Sequence, residues 1–273
     1  MKIARVFPRK TRATPDDDMA FINTLPPFFV EADEVHISTS FTWDLMLAEW
    51  LAREWAYVAP VKIGGPALMQ ESGEFIPGKY LKMGYVITSR GCPNKCWFCS
   101  VWKRENGVKE LPITEGWNVL DDNLLACSEQ HIRSVFQMLK KQPQKAQFTG
   151  GFEAARLTDW QIDLLVDLQP KQMFFAYDTD DDRDPLFDVS RRLHNAGFNR
   201  QKLRCYVLIG YPGDTIQEAI SRLTFVKNLG ICPMAMAWRD KTGKVDVNWS
   251  RLQREWARPA IIYQSKVNEK ECV

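Results

Sequence analysis

From Met83 to Trp238 the chain alternates β-rich runs with helical patterns, and this alternation restricts the fold more than any other feature of its 273 residues. Six runs read as strands: residues 84–88, 117–120, 145–148, 172–177, 202–209 and 231–238. Between them Ile132, Val135, Phe136 and Leu139 recur at helical spacing. Thr158 with Gln161, and Asp214 with Gln217, read as capping boxes, and Gly230 marks a helix stop. Repeats of this kind predict a parallel sheet or barrel with its chemistry at the carboxyl ends of the strands.

The first of these strands delivers Cys92, Cys96 and Cys99 into one loop punctuated by the turn formers Gly91, Pro93 and Asn94. At CxxxCxxC spacing, outside a helix, the three thiols are free to converge. A structural zinc would require a fourth Cys or His at short spacing, and the next residues of those types are Cys127 and His131. Three thiols without a near fourth point to an iron–sulfur cluster with one iron left open. The competing reading is a non-catalytic iron–sulfur or zinc protein in which Cys127 or His131 completes the set, or simply buried free thiols.

With Phe98 directly before the last cysteine, the motif resembles the radical S-adenosylmethionine (radical SAM) superfamily. That resemblance implies a six-strand partial (β/α)6 barrel, TIM-like, over residues 81–240. It also implies a 4Fe-4S cluster on Cys92, Cys96 and Cys99 whose open iron chelates the methionine moiety of S-adenosylmethionine. One electron, from a low-potential flavodoxin- or ferredoxin-type donor, then breaks the sulfur to 5′-carbon bond, and the 5′-deoxyadenosyl radical takes hydrogen from a substrate that the sequence does not reveal. Carried over residue by residue, Phe98 belongs with the cofactor contacts. Gly150, Gly151 and Glu153 would meet the methionyl amino group, although Phe152 is inserted before the acid. Asp178 would bind ribose hydroxyls, Arg204 would pair with the methionyl carboxylate, and Gly210 and Tyr211 would lie beside the adenine. Asp121, Asp122 and Asn123, at the exit of the second strand, read either as an Asx-rich turn capping the next helix or as substrate contacts. The acidic run from Asp178 to Asp182 also suits a hard cation or a solvated loop.

Upstream, residues 2–7 and 34–40 read as strands, with a polar loop over 9–18 and a turn at Pro26 and Pro27 between them. Trp43, Leu45, Leu47, Leu51 and Trp55 populate an amphipathic helix that Pro60 ends, and strand 61–63 runs into Gly64, Gly65 and Pro66. This βαβ pattern predicts a small doubly wound, Rossmann-like domain over residues 1–80, packed over the barrel mouth or its side. It is similar to the cobalamin-binding domain that precedes many radical SAM barrels, but the cobalt-ligating DxHxxG is absent. His36 falls inside a strand, and His131 and His194 fall in helices, so a histidine-ligated cobalamin is not expected. Cobalamin-assisted methyl transfer remains the runner-up, because Ser38, Ser40 and Gly64 to Pro66 stand at strand ends where nucleotide-like ligands bind. Residues 241–273 read as a C-terminal extension with a short helix containing Trp249, Leu252 and Trp256 that closes a barrel edge.

A net charge of +2, from 36 Lys and Arg against 34 Asp and Glu, provides no electrostatic footprint for nucleic acid or an anionic membrane. Methylthio transfer to RNA would call for a second cysteine set and an RNA-binding appendage, and neither is evident. No apolar run is of membrane length. Seven cysteines with no signal-like start predict a reducing cytoplasm, with Cys127, Cys205, Cys232 and Cys272 as buried structural thiols.

Overall fold

The N-terminal sheet consists of β1 (Ile3–Phe7), β2 (Ala20–Ile22), β3 (Glu34–Ser38) and β4 (Val61–Gly64), with α1 (Leu45–Trp55) between the last two. Every pairing is parallel, and the order is β2-β1-β3-β4. These elements come from a computed structural model that describes residues 1–264. It divides into two compact units, Met1–Lys145 with Lys241–Gly243, and Ala146–Asp240 with the chain from Lys244. The boundary expected near residue 80 lies inside the first unit.

Alternation along β1 and β3 turns Ala4, Val6, Val35 and Ile37 onto Ala48, Leu51 and Trp55 of α1, and all seven are buried. Each large side chain among them contributes roughly 1.5–3 kcal/mol of transfer free energy. The other face carries Arg5, His36 and Lys62 in register. It is covered by the chain near residue 80: Arg5 Nη1 donates to the carbonyls of Gly78 and Lys79, both at 3.0 Å, and His36 Nδ1 bonds the Tyr80 hydroxyl. Two expectations are corrected here. β2 falls between the expected loop over 9–18 and the turn at Pro26 and Pro27, where no strand was expected, and at three residues it is too short for a periodic signal. The unit is also not doubly wound, since α1 is the one α-helix among the connections of this sheet. Pro8, Pro15, Pro26 and Pro27 stand in the others, where each removes a helix hydrogen bond.

The same unit continues through β5 (Tyr85–Val86), β6 (Ser89–Arg90), α2 (Val101–Arg104), β7 (Lys109–Glu110), β8 (Asn118–Val119) and α3 (Glu129–Lys140). β5 and β8 pair in parallel, and β6 and β7 form an antiparallel hairpin that the sequence did not announce. α3 buries the expected stripe of Ile132, Val135, Phe136 and Leu139. It is capped by Ser128, whose hydroxyl accepts the His131 N–H at 3.2 Å.

The second unit holds β9 (Gln147–Phe152), α4 (Asp159–Leu168), β10 (Gln172–Tyr177), α5 (Arg183–Asn195), β11 (Leu203–Ile209), α6 (Ile216–Asn228), β12 (Cys232–Ala237), α7 (Val247–Trp256) and α8 (Pro259–Gln264). β9 to β12 pair in parallel in sequence order. Thr158 and Gln161 form the expected capping box on α4. On α6 the box is shifted by one residue, to Thr215 and Glu218 in place of Asp214 and Gln217. The reason is that Asp214 is engaged elsewhere: it accepts the Gly210 N–H at 2.7 Å and pairs with Arg222 at 2.8 Å. Trp249, Leu252 and Trp256 lie on α7, and Gln253 Nε2 from that helix donates to the Ala235 carbonyl of β12 at 3.3 Å. Cys205 and Cys232 are buried, Cys127 is half-buried, and Cys272 lies outside the described residues. The chain is thus α/β with parallel sheets, and among the described residues no helix is long and apolar enough to cross a membrane.

Candidate functional site

The cysteine loop springs from β6 and returns through β7. Its stems meet at Gly91, which has φ +86° and where a Cβ would stand 1.7 Å from the Gly107 carbonyl oxygen. Only glycine allows that approach. Cys92, Cys96 and Cys99 form no disulfide and are half-buried on the irregular backbone between. Cys92 Sγ accepts a hydrogen bond from Asn123 Nδ2 at 3.3 Å, and Cys99 Sγ accepts the Val101 N–H at 3.5 Å. Trp102 Nε1 donates to the Cys96 carbonyl at 2.9 Å, tying α2 back to the loop. Burial pushes the Cys99 thiol up, the Val101 N–H opposes it, and Cys92 and Asp122 add to the rise. Phe98 is half-buried and meets Trp97 edge to face at 5.4 Å between centroids.

Asp121, Asp122 and Asn123 neither cap α3 nor face open space; they hold this loop. Asp121 is buried and accepts from the Thr88 N–H at 2.6 Å, the Thr88 hydroxyl at 2.6 Å and the Ser89 hydroxyl at 2.8 Å. Asp122 accepts the Gly91 N–H at 2.9 Å and stands 3.7 Å from Arg90 and 3.6 Å from Arg104. Arg104 in turn pairs with buried Glu105 at 2.9 Å. Burial pushes the Glu105 carboxyl up, but the Ser72 and Arg104 hydrogen bonds bring it below its ordinary value. Together with the Asn123 bond to Cys92, the second strand exit therefore fixes the first. The signal for this was present in the sequence as three polar residues at one strand exit.

Among the described residues no three His, Cys, Asp or Glu side chains stand close enough about one point to hold a single metal ion. Cys127 is pushed up to about 11 by burial, against a Ser89 hydrogen bond, and is a neutral thiol. His131 Nδ1 faces Glu110 at 3.8 Å. Three soft sulfur donors, two of them already accepting N–H bonds, suit iron–sulfur and zinc chemistry alike.

The strand ends of the second unit hold the other expected residues. Gly150 and Gly151 do not follow β9; they lie within it. Thr149 to Gly151 face the single residue Phe174 of β10, a bulge in which Gly151 takes φ +94°. The bulge withdraws backbone groups from the ladder, and buried Phe152 then rejoins it opposite Phe175. Glu153 follows the strand, with its carboxylate paired to Arg156 at 2.6 Å. Asp178 stands at the exit of β10, half-buried, its carboxyl pushed up to about 7 by burial and by Asp182. Arg204 is the second residue of β11, whereas Gly210 follows its end. Six residues of strand separate them, about 20 Å. Arg204 therefore stands near the amino end of β11, away from the carboxyl ends where its pairing with a ligand was expected. Gly210 has φ +74°, and a Cβ there would stand 2.9 Å from the Trp249 ring, so α7 accounts for this glycine without a ligand. Tyr211 lies against the Arg222 guanidinium, 5.3 Å from the ring centroid. The Asp214–Arg222 pair, side chains 0% and 9% exposed, was missed because its partners sit eight residues apart across a turn and a helix.

Compared with protein-family models, with curated proteins and with solved structures, the chain gave no match.

Proposed function

We propose that this protein is a radical SAM enzyme, with strands β5 and β8 to β12 forming a partial barrel and Cys92, Cys96 and Cys99 holding a 4Fe-4S cluster. The observation that carries the reading is the cysteine loop itself. It has three thiols outside any disulfide at CxxxCxxC spacing, N–H donors on two of the sulfurs, and a stem anchored through Asp121, Asp122 and Asn123. When bound, such a cluster supplies the electron that splits S-adenosylmethionine into methionine and a 5′-deoxyadenosyl radical able to take hydrogen from a substrate. Arg90 and Arg104 lie near the loop around Asp122 and offset the negative charge that a thiolate-bound cluster brings.

For S-adenosylmethionine the reading assigns the Gly150–Gly151 bulge to the methionyl group through its backbone and Asp178 to the ribose. Phe98, Glu153, Gly210 and Tyr211 are secondary contacts. Arg204 is not assigned. The electron would come from a flavodoxin- or ferredoxin-type donor in a reducing cytoplasm. Anaerobic reconstitution tests the proposal: about four iron and four sulfide per chain are expected. The electron paramagnetic resonance spectrum of the reduced protein should change when S-adenosylmethionine is added, and 5′-deoxyadenosine should accumulate with dithionite. One tightly bound zinc and no iron uptake would reject it.

A further inference from the structure

The carboxyl ends of β1, β3 and β4 open into a cavity of about 490 Å³ that lies wholly within the first unit. This is the size range of small-molecule sites, ~300–1,000 Å³. The strand order explains its position. From β1 the sheet grows to β2 on one side and to β3 on the other, and the crevice outside the carboxyl ends at such a reversal is where parallel sheets take ligands.

What the cavity offers a ligand is mainly hydrogen-bond donors. Arg9 follows β1, and its Nε and Nη2 are clamped on Asp44, at 2.9 and 2.7 Å. Asp44 is buried and immediately precedes α1, where the helix N-terminus favours its charge. A guanidinium held on one edge presents its other edge, Nη1, in a fixed direction, and Arg9 is half exposed toward the cavity. Arg90, four-fifths buried and also lining the cavity, has Asp122 as its one ionic partner among the described residues, at 3.7 Å, beyond hydrogen-bond range. The Ser38 and Ser40 hydroxyls, at the end of β3, also line the space without a hydrogen-bond partner among the described residues. The acids on the wall do not answer these donors. Asp44 is taken by Arg9, Glu71 is exposed beside Lys109 at 3.6 Å, and Glu74 is exposed. A desolvated guanidinium calls for an acceptor.

We infer that this cavity binds a small organic anion, its carboxylate or phosphate group held between Arg9 and Arg90 with Ser38 and Ser40 completing the contacts. The inference does not depend on the cysteines taking up a cluster, so it is tested on the full chain as isolated, without iron. Inorganic phosphate and succinate serve as probes, each titrated calorimetrically, with ionic strength held constant by chloride to remove general screening. Saturable one-site binding of at least one probe is expected. Arg9→Gln or Arg90→Gln should weaken it about tenfold or more, the loss of a charge-assisted hydrogen bond, and Arg251→Ala on exposed α7 should leave it unchanged. Phosphate alone binding identifies a phosphorylated ligand, and succinate alone a carboxylate. A second readout needs no variant: the bound anion should protect Arg9 and Arg90, but not Arg251, from phenylglyoxal, as read by peptide mass. Binding indifferent to both substitutions, absence of saturable binding by either probe, or equal labelling of all three arginines overturns the inference.

Discussion

Asp121→Ala is expected to cost the first unit about 3 kcal/mol, because one carboxylate serves three buried donors. The Thr88 amide has nowhere to turn; stripped of its acceptor at 2.6 Å in a fully buried position, it loses ~1–3 kcal/mol. The Thr88 and Ser89 hydroxyls can rotate and forfeit ~0.5–1.5 kcal/mol each. Against these losses the substitution relieves the burial of a carboxylate, and burial pushes the Asp121 carboxyl up despite its donors. The balance is a large share of the ~5–15 kcal/mol that holds a domain together. Asp121→Asn keeps an acceptor for the amide and adds a donor the hydroxyls can accept, so its cost should be near ~1 kcal/mol. Urea unfolding of the iron-free chain at neutral pH, with the denaturant slope checked for constancy, measures both. An alanine variant within about 1 kcal/mol of wild type, or an asparagine variant as damaged as the alanine one, would refute the argument that the second strand exit holds the first.

Cys92→Ala, Cys96→Ala and Cys99→Ala should each abolish iron retention after anaerobic reconstitution, while Cys127→Ala, Cys205→Ala and Cys232→Ala retain it; iron loss in the Cys127 variant would favour a four-ligand structural site. Gly91→Ala should lower both stability and iron content more than Gly107→Ala, since both have positive φ, at ~1–2 kcal/mol each, but only Gly91 has a carbonyl 1.7 Å from the added Cβ. Equal urea midpoints for the two variants would contradict the crossing of the stems. For Asp178, pushed up to about 7 from 3.8, the folded chain keeps a proton that the unfolded chain has lost within that window. Its contribution is full below the lower value and declines as pH rises toward the upper one. Asp178→Asn should therefore remove a fall in stability between pH 5 and 7.5 that wild type shows, and parallel urea curves for the two proteins across that range would count against a buried carboxyl.

What the sequence determined about this protein is what contiguous residues determine among themselves. The stripe on α3 is a 3.6-residue repeat, and the Thr158–Gln161 box closes within one helical turn. The six β-rich runs from residue 84 onward all became strands, and the cysteine spacing was legible without knowledge of any neighbour. The second capping box shows the limit. Asp214 suits that role by local rule, but Gly210 and Arg222 claim it and the cap passes to Thr215. Gly150 and Gly151 looked like a turn after a strand until β10 supplied the register that makes them a bulge inside one. Arg204 was legible as a strand residue, but a ligand contact depends on which end of the strand it occupies. The bonds from Asp121 to Thr88, and the cavity that brings Arg9 and Arg90 to one space, join residues tens of positions apart. Such long-range partners are chosen by how the sheets pair and pack, and a carboxylate or guanidinium will satisfy any suitable group within 3 Å. Local sequence therefore states what each side chain is able to bind, and the tertiary structure selects what it does bind.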